Sequence, residues 1–244
     1  MKIDILSLFP EFIDSFLGWS MIRKAVELEV VDFGNVNIRD FSKNKHKKVD
    51  DYPFGGGPGM VMTPEPIYEA LMSVRRENSR VIYLSPQGRT FNQKRARELS
   101  QEEHLIFLSG HYEGIDNRII ENYVDEEISI GDFVLTGGEL PAMAIIDSII
   151  RLLPGVLASS ESFKDESHYR GLLEHPQYTR PREFRGHEVP EILLSGHHKN
   201  IEGWKRRKSL ENTYLKRPEL LKKVELSKED VKLLKEIKSS CKSV

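Results

Sequence analysis

The chain has 244 residues, of which 39% are hydrophobic and 30% charged, a composition that builds a folded core and excludes an intrinsically disordered protein. Its single cysteine, Cys241, excludes an internal disulfide or a cysteine-built zinc site and suits a reducing cytoplasm, and no apolar run reaches the ~18 residues a membrane span needs. The formal net charge of −2 conceals an asymmetry, because residues 1–170 hold 19 Lys/Arg against 27 Asp/Glu, whereas residues 171–244 hold 17 against 11.

Ile3 to Leu8 reads as a strand, not a secretory signal, since Asp4 interrupts the run. Proline favours a first helical turn, so a helix is expected from Pro10, with Phe12, Phe16 and Trp19 at helical spacing. Val30 to Ile38 is strand-like. A basic loop, Lys43 to Lys48, leads to Asp50, Asp51 and the segment Phe54-Gly-Gly-Gly-Pro-Gly-Met60. Thr63 with Pro64 predicts a helix start, with Ile67, Leu71 and Val74 as its apolar stripe. Val81 to Leu84 reads as a buried strand, Thr90 with Gln93 as a capping box, and Leu105 to Leu108 as the next strand. A helix is expected over Leu140 to Leu153. Strands alternating with helices predict an α/β domain with a mainly parallel sheet. Ala158 to Arg170 is polar and serine-rich and reads as a mobile linker. The pattern after it is helical, and Ser227 with Asp230 predicts a last helix whose core face is Val231, Leu234 and Ile237.

Three loops stand where apolar runs end: Tyr83 to Gly88, Gly110 to Asp116 and Ser129 to Glu139. In open α/β sheets ligands bind beyond the carboxyl ends of strands, so these loops predict one site. Glu113, Asp116, Asp132 and Glu139 make that edge acidic, which repels phosphate and suits a ligand carrying positive charge and amino groups. Gly137-Gly138 taken singly is equally a strand-to-helix turn. Arg151, ending an apolar helix, either meets the helix carbonyls or anchors developing negative charge. Four glycines between Gly55 and Gly59 are costly to order, which favours a surface where a backbone or a flat ring comes close over a plain loop. Beside them, Lys45 to Lys48 suit phosphates, and Asp50 and Asp51 suit a base edge. The usual nucleotide-binding glycine signatures and the zinc-protease and serine-hydrolase motifs are missing, and the eight histidines show no metal spacing. The basic residues after 170 either grip a polyanion or form solvated helix faces.

The stretches Leu6 to Glu11, Val49 to Met60, Tyr83 to Gly88, Gly110 to Asp116, Ser129 to Met143 and Tyr178-Thr-Arg-Pro181 resemble bacterial tRNA (guanine-N1)-methyltransferase, the TrmD family of the SPOUT class. The resemblance runs from the first strand to Pro218–Leu221. It implies a SPOUT-type parallel sheet with a deep trefoil knot over residues 1–157, a linker over 158–170 and a small, mainly helical, basic tRNA-binding domain over 171–244. It also implies a cytoplasmic homodimer with active sites at the subunit interface, S-adenosylmethionine as methyl donor and a divalent cation, usually magnesium, as assistant. The substrate implied is the guanosine immediately 3′ of the anticodon, methylated at N1. Other RNA targets of the same class, or an RNA-binding protein with a weakened active site, are the alternatives.

Carried over residue by residue, the resemblance assigns cofactor binding to Tyr83, Leu84, Ser85, Pro86 and Gln87, to Gly110, Tyr112, Glu113 and Gly114, and to Ile130, Gly131, Asp132, Phe133, Val134, Leu135, Gly137, Gly138 and Pro141. From their own chemistry and not from the carry-over, Asp50, Phe54, Gly55, Gly56, Gly57, Pro58 and Gly59 are expected to contact the substrate base. Arg151 takes the place of the catalytic arginine. The general base, an aspartate in the family, falls at Glu166 when counted back without gaps from Gly171, and Asp165 is the alternative. Arg180, Arg182, Arg185, Lys199, Trp204 and Lys205 to Lys208 are expected to hold tRNA phosphates. No residues are assigned to a metal.

Overall fold

Short apolar runs and amphipathic ones alternate along the chain, and they fold as strands and helices in that order. The computed structural model describes residues 1–157 and 166–241, in two units, Met1–Ser160 and Glu161–Val244.

The first unit runs β1 (Lys2–Ser7), α1 (Pro10–Leu17), α2 (Ser20–Glu27), β2 (Asp32–Asn37), β3 (Asp50–Asp51), β4 (Val61–Met62), α3 (Pro64–Val74), β5 (Ser79–Thr90), α4 (Gln93–Leu99), β6 (His104–Ser109), α5 (Asn117–Tyr123), β7 (Glu126–Ser129) and α6 (Glu139–Ile150). Five strands form one parallel sheet in the order β2-β1-β6-β5-β7. Strand side chains alternate between faces, and a parallel sheet buries both. Ile3, Ile5, Ile82, Leu84, Leu105, Phe107 and Ile128 pack against one cluster with Ile13, Ile22, Leu99 and the apolar side of α6. Leu6, Val81, Tyr83, Ile106 and Leu108 pack on the other face with Ile67, Leu71 and Ile119. Strand β5 is longer than the predicted Val81–Leu84, because a register shift between Leu84 and Arg89 pushes Ser85 to Gly88 out as a bulge opposite β7.

The second unit holds a two-residue hairpin, β8 (Glu183–Phe184) with β9 (His187–Glu188), and two helices, α7 (His198–Lys216) and α8 (Lys228–Cys241). Leu172, Leu210, Leu234 and Ile237 make its small core. The predicted capping box is formed, with Ser227 N–H donating to Asp230 Oδ2 at 3.0 Å and Asp230 N–H to Ser227 Oγ at 3.1 Å.

Several expectations are corrected. Trp19 does not continue the helix of Phe12 and Phe16: that helix ends at Leu17 with Gly18 as its cap, Trp19 precedes a separate helix, and Ile13 carries the buried face. Thr90 and Gln93 form no capping box, since Thr90 pairs with Ser129 in the sheet and Asn92 Oδ1 instead accepts from Arg95 N–H at 3.1 Å. Val231 is exposed, and the buried polar side chain near it is Asp230. Of the segment read as a linker, residues 158–165 lie outside the described residues. Residues 166–170 are tied to the start of the second unit's core, His168 N–H to Leu172 C=O at 2.7 Å and Glu174 N–H to Ser167 Oγ at 3.1 Å.

Candidate functional site

The three glycine-bearing segments meet at the bulge of β5 and the carboxyl ends of β6 and β7. They enclose a cleft of about 230 Å3 lined by Tyr83 to Gln87, Gly110 to Gly114, Ile128 to Gly131, Phe133 to Gly138 and Pro141. Every residue assigned to the cofactor lines this cleft except Asp132, whose neighbours Gly131 and Phe133 do. Ile128, Ser129, His111 and Thr136 also line it, although the resemblance assigns them no role.

Backbone contacts hold the loops together. Gly138 N–H donates to Gly110 C=O at 2.9 Å, and His111 bridges Gly137 in antiparallel fashion. Tyr112 takes a left-handed backbone, φ 61°, a conformation that non-glycine residues adopt reluctantly and that concentrates at functional sites. Burial, and the nearby Glu127 carboxylate, push the Tyr83 phenol up, so it is a neutral hydroxyl at pH 7.

The acidity of this edge is smaller than expected. Asp116 is paired with Arg118 at 2.7 Å, which holds its carboxyl below the usual range, and it accepts the Arg118 N–H at the start of α5. Glu139 is buried, with Oε2 at 2.7 Å from His111 Nε2 and Oε1 accepting from Ser7 Oγ at 2.6 Å. Glu113, with Asp132 next to the lining, keeps the edge negative. Apolar walls, polar loop atoms and a carboxylate in place of basic side chains fit a cationic, non-phosphorylated molecule such as S-adenosylmethionine.

The glycine-rich segment abuts this cleft. A Cβ on Gly59 would lie 2.3 Å from Glu113 Oε1, so the two segments are in direct contact. Glu113 N–H donates to Met60 C=O at 3.0 Å and Met62 N–H to Gly114 C=O at 2.9 Å. Gly55, Gly56 and Gly57 all have positive φ and open space where a Cβ would be, and Phe54 between Tyr52 and these glycines is fully exposed. Conformational need explains the glycines, and the exposed ring leaves a face for a flat partner. Asp50 is half-buried in β3, and Asp51 is held by Lys48 and by the Tyr52 N–H.

Arg151 caps the carboxyl end of α6, its N–H bonded to Asp147 C=O at 3.2 Å, and is half-buried. Glu166 lies in the second unit, in a pocket of about 140 Å3 with Arg170, His175, Lys205, Arg206 and Ser209. Asp165 lies outside the described residues. Trp204 sits beside this pocket, 6.2 Å from His175 and 6.3 Å from Tyr178 between ring centres.

The basic residues of this unit are less available than their sequence implies. Lys205 pairs with Glu202, Arg207 with Glu236, Lys208 with Glu211 and Arg182 with Glu191. These pairs are exposed or half-exposed and weak, and a phosphate can displace the carboxylate. Arg206 is different: its guanidinium binds Asp230 through two 2.8 Å bonds, and Asp230 is only 6% exposed in its side chain, so this arginine is structural. Arg180, Arg185 and Lys199 are exposed. Among the described residues no group of three or more His, Cys, Asp or Glu side chains is arranged to hold a metal ion, and the expected divalent cation has no such site in them. No helix among them is long and apolar enough to cross a membrane.

Comparison with known proteins agrees with this geometry. Residues 1–223 match the family model described as tRNA (Guanine-1)-methyltransferase TrmD. A tRNA (guanine-N(1)-)-methyltransferase of Clostridium perfringens (strain SM101 / Type A) is 60% identical over 236 residues, 96% of this chain and 99% of the relative. Its namesake in Clostridium beijerinckii is 59% identical over 236 residues, 96% and 98% of the two chains. Another in Alkaliphilus metalliredigens is 57% identical over 242 residues, 97% and 98%.

Proposed function

This chain belongs to the tRNA (guanine-1)-methyltransferase TrmD family, and from that premise we propose that it methylates N1 of the guanosine immediately 3′ of the anticodon, using S-adenosylmethionine held in the three-loop cleft. The observation that carries the reading is the convergence of the Tyr83, Gly110 and Ile130 loops on one cleft, against which the Gly59 backbone rests.

S-adenosylmethionine, when bound, supplies an electrophilic methyl group on a sulfonium that leaves as a neutral thioether. The chain's residues do the rest. Guanine N1 carries a proton that must depart as its lone pair forms the new N–C bond. The Glu166 carboxylate is the acceptor of that proton, with Asp165 the alternative in the same segment. Arg151 opposes the negative charge that gathers on O6. The exposed Phe54 ring and the open glycine backbone beside it receive the extruded base, and Asp50 accepts from its edge. The residues after 170 hold tRNA through Arg180, Arg185, Lys199 and the exchangeable pairs of α7, so binding weakens steeply with salt.

The reading includes a trefoil knot in the first unit. Residues 137–138, which follow the edge strand β7, return to residues 110–111 on the far side of β5, which supports a crossing of that kind. It also includes a cytoplasmic homodimer with active sites at the subunit interface. Phe9, Phe12, Trp19 and Leu140 are each exposed on the first unit, and a partner that covered them would remove apolar area from water.

The test is methyl transfer from labelled S-adenosylmethionine to unmodified transcripts bearing guanosine or adenosine 3′ of the anticodon. Label in the guanosine transcript alone, recovered as 1-methylguanosine, is the expected result. Label in both, or in neither with cofactor still bound, contradicts the assignment of substrate.

A further inference from the structure

We propose that Glu139 and His111 are positioning residues, a buried carboxylate–imidazole clamp that fixes the spacing of two of the cleft's loops. The proposal rests on the cofactor reading above. Glu139 is the first residue of α6 and only 4% exposed. Its carboxylate joins three segments that are distant in sequence. One oxygen takes the Ser7 hydroxyl at the end of β1, at 2.6 Å, and the other faces His111 Nε2 in the loop after β6, at 2.7 Å. Ser7 Oγ in turn accepts the Phe9 N–H at 2.8 Å, and the Phe9 ring meets the His111 ring edge-on with centres 4.8 Å apart.

Three features separate this clamp from ordinary packing. Withdrawing a carboxylate from water is costly, and apolar packing holds a helix to a sheet at least as well, so what the pair contributes is direction. The clamp also sets a residue type next to it. A Cβ at Gly137 would lie 2.2 Å from His111 Nε2 and 2.6 Å from Glu139 Oε2, so only glycine there leaves the imidazole a path to the carboxylate. Finally, Tyr112 on one side of the clamp and Gly138 on the other both line the cleft, so slack in the clamp becomes slack in the cofactor's walls.

The experiment uses the full chain and its His111→Ala, Glu139→Gln and doubly substituted variants. S-adenosylmethionine affinity is measured by calorimetry, with cofactor KM, tRNA KM, kcat and melting temperature alongside. His111→Ala is expected to weaken cofactor binding and raise cofactor KM between about tenfold and a hundredfold, as loss of positioning does, while tRNA KM stays unchanged. The double variant is no worse than the worse single one, and His111→Asn, which restores a donor, recovers part of the loss. His111 lies at the cleft surface, so its variant keeps the test open if Glu139→Gln fails to fold. Cofactor affinity equal to wild type in His111→Ala overturns the clamp alone. A fall in melting temperature with both KM values moving together also overturns it, in favour of a structural role. A wild-type chain that binds no S-adenosylmethionine overturns the cofactor reading and the clamp with it.

Discussion

Two histidine–carboxylate pairs sit toward opposite ends of the same parallel sheet. Near the amino ends of the strands, His104 Nε2 lies 2.8 Å from Asp4 Oδ2, and His104 Nδ1 lies 2.7 Å from Ser79 Oγ. All three residues belong to strands, β6, β1 and β5, and their bonds run across the sheet they already pair in. This serine–histidine–aspartate order has the atoms of a hydrolytic relay. Yet His104 and Asp4 are 1% and 3% exposed, and Ser79 Oγ already accepts the Arg76 N–H at 2.6 Å. At the carboxyl ends, His111 and Glu139 come from the loop after one strand and the helix after another, and they flank a cleft. The same chemical pair stiffens the sheet at one end and shapes a binding site at the other, because strand ends, not strand interiors, carry the loops that face a ligand.

The largest expected effect belongs to the catalytic assignment. Glu166→Gln is expected to lower kcat by ~10²–10⁴-fold with S-adenosylmethionine affinity retained. Single-turnover methyl transfer together with calorimetry checks it, and wild-type turnover removes Glu166 from the role of base. Next comes the amino-end pair. His104→Ala removes one of the two partners of buried Asp4, whose other oxygen keeps Lys2 Nζ at 3.5 Å, and is expected to cost about 1–3 kcal/mol of unfolding free energy, with the cofactor affinity of the folded fraction unchanged. A weakened cofactor affinity at full stability in that variant would break the contrast between the two ends. The smallest effect is in the second unit. The Arg206 guanidinium, with the Ser227 cap, holds the Asp230 carboxyl down from 3.8 to about 2. A lowered folded-state value stabilises above the unfolded pKa and is lost as pH falls through the folded one. Asp230 therefore contributes about 1–2 kcal/mol, discounted because Arg206 is 40% exposed, that disappears between about pH 4 and pH 2. Acid unfolding of Asp230→Asn, declining less steeply over that interval than wild type because the other paired carboxylates such as Asp116 still titrate, is the check.

Much of the first unit was legible in the sequence. The strands β1, β5 and β6 are apolar runs that a buried parallel sheet demands, and the glycines within the β5 bulge and after β6 and β7 marked the loops that line the cleft. Helices α2 and α5 were not legible, because they bury little: Ile22 and Ala25 in one, Ile119 in the other. The two capping boxes show why local chemistry alone does not decide. Ser227 precedes a helix with no competing sheet partner and caps it, whereas Thr90 is claimed by its sheet partner Ser129. The clamp was invisible for a different reason. Ser7 and Glu139 are 132 residues apart, and only the folded sheet makes them neighbours. The charge asymmetry was real in count but overstated the basic surface, since carboxylates on α7 and α8 neutralise several of its lysines and arginines.

Hydrogen–deuterium exchange with and without S-adenosylmethionine tests the central claim most directly. The account predicts that cofactor slows exchange in residues 83–88, 110–116 and 129–138 and leaves the segments around Asp4, Ser79 and His104 unchanged. Protection at the amino end of the sheet, or in the second unit alone, with the three loops exchanging as before, would contradict it.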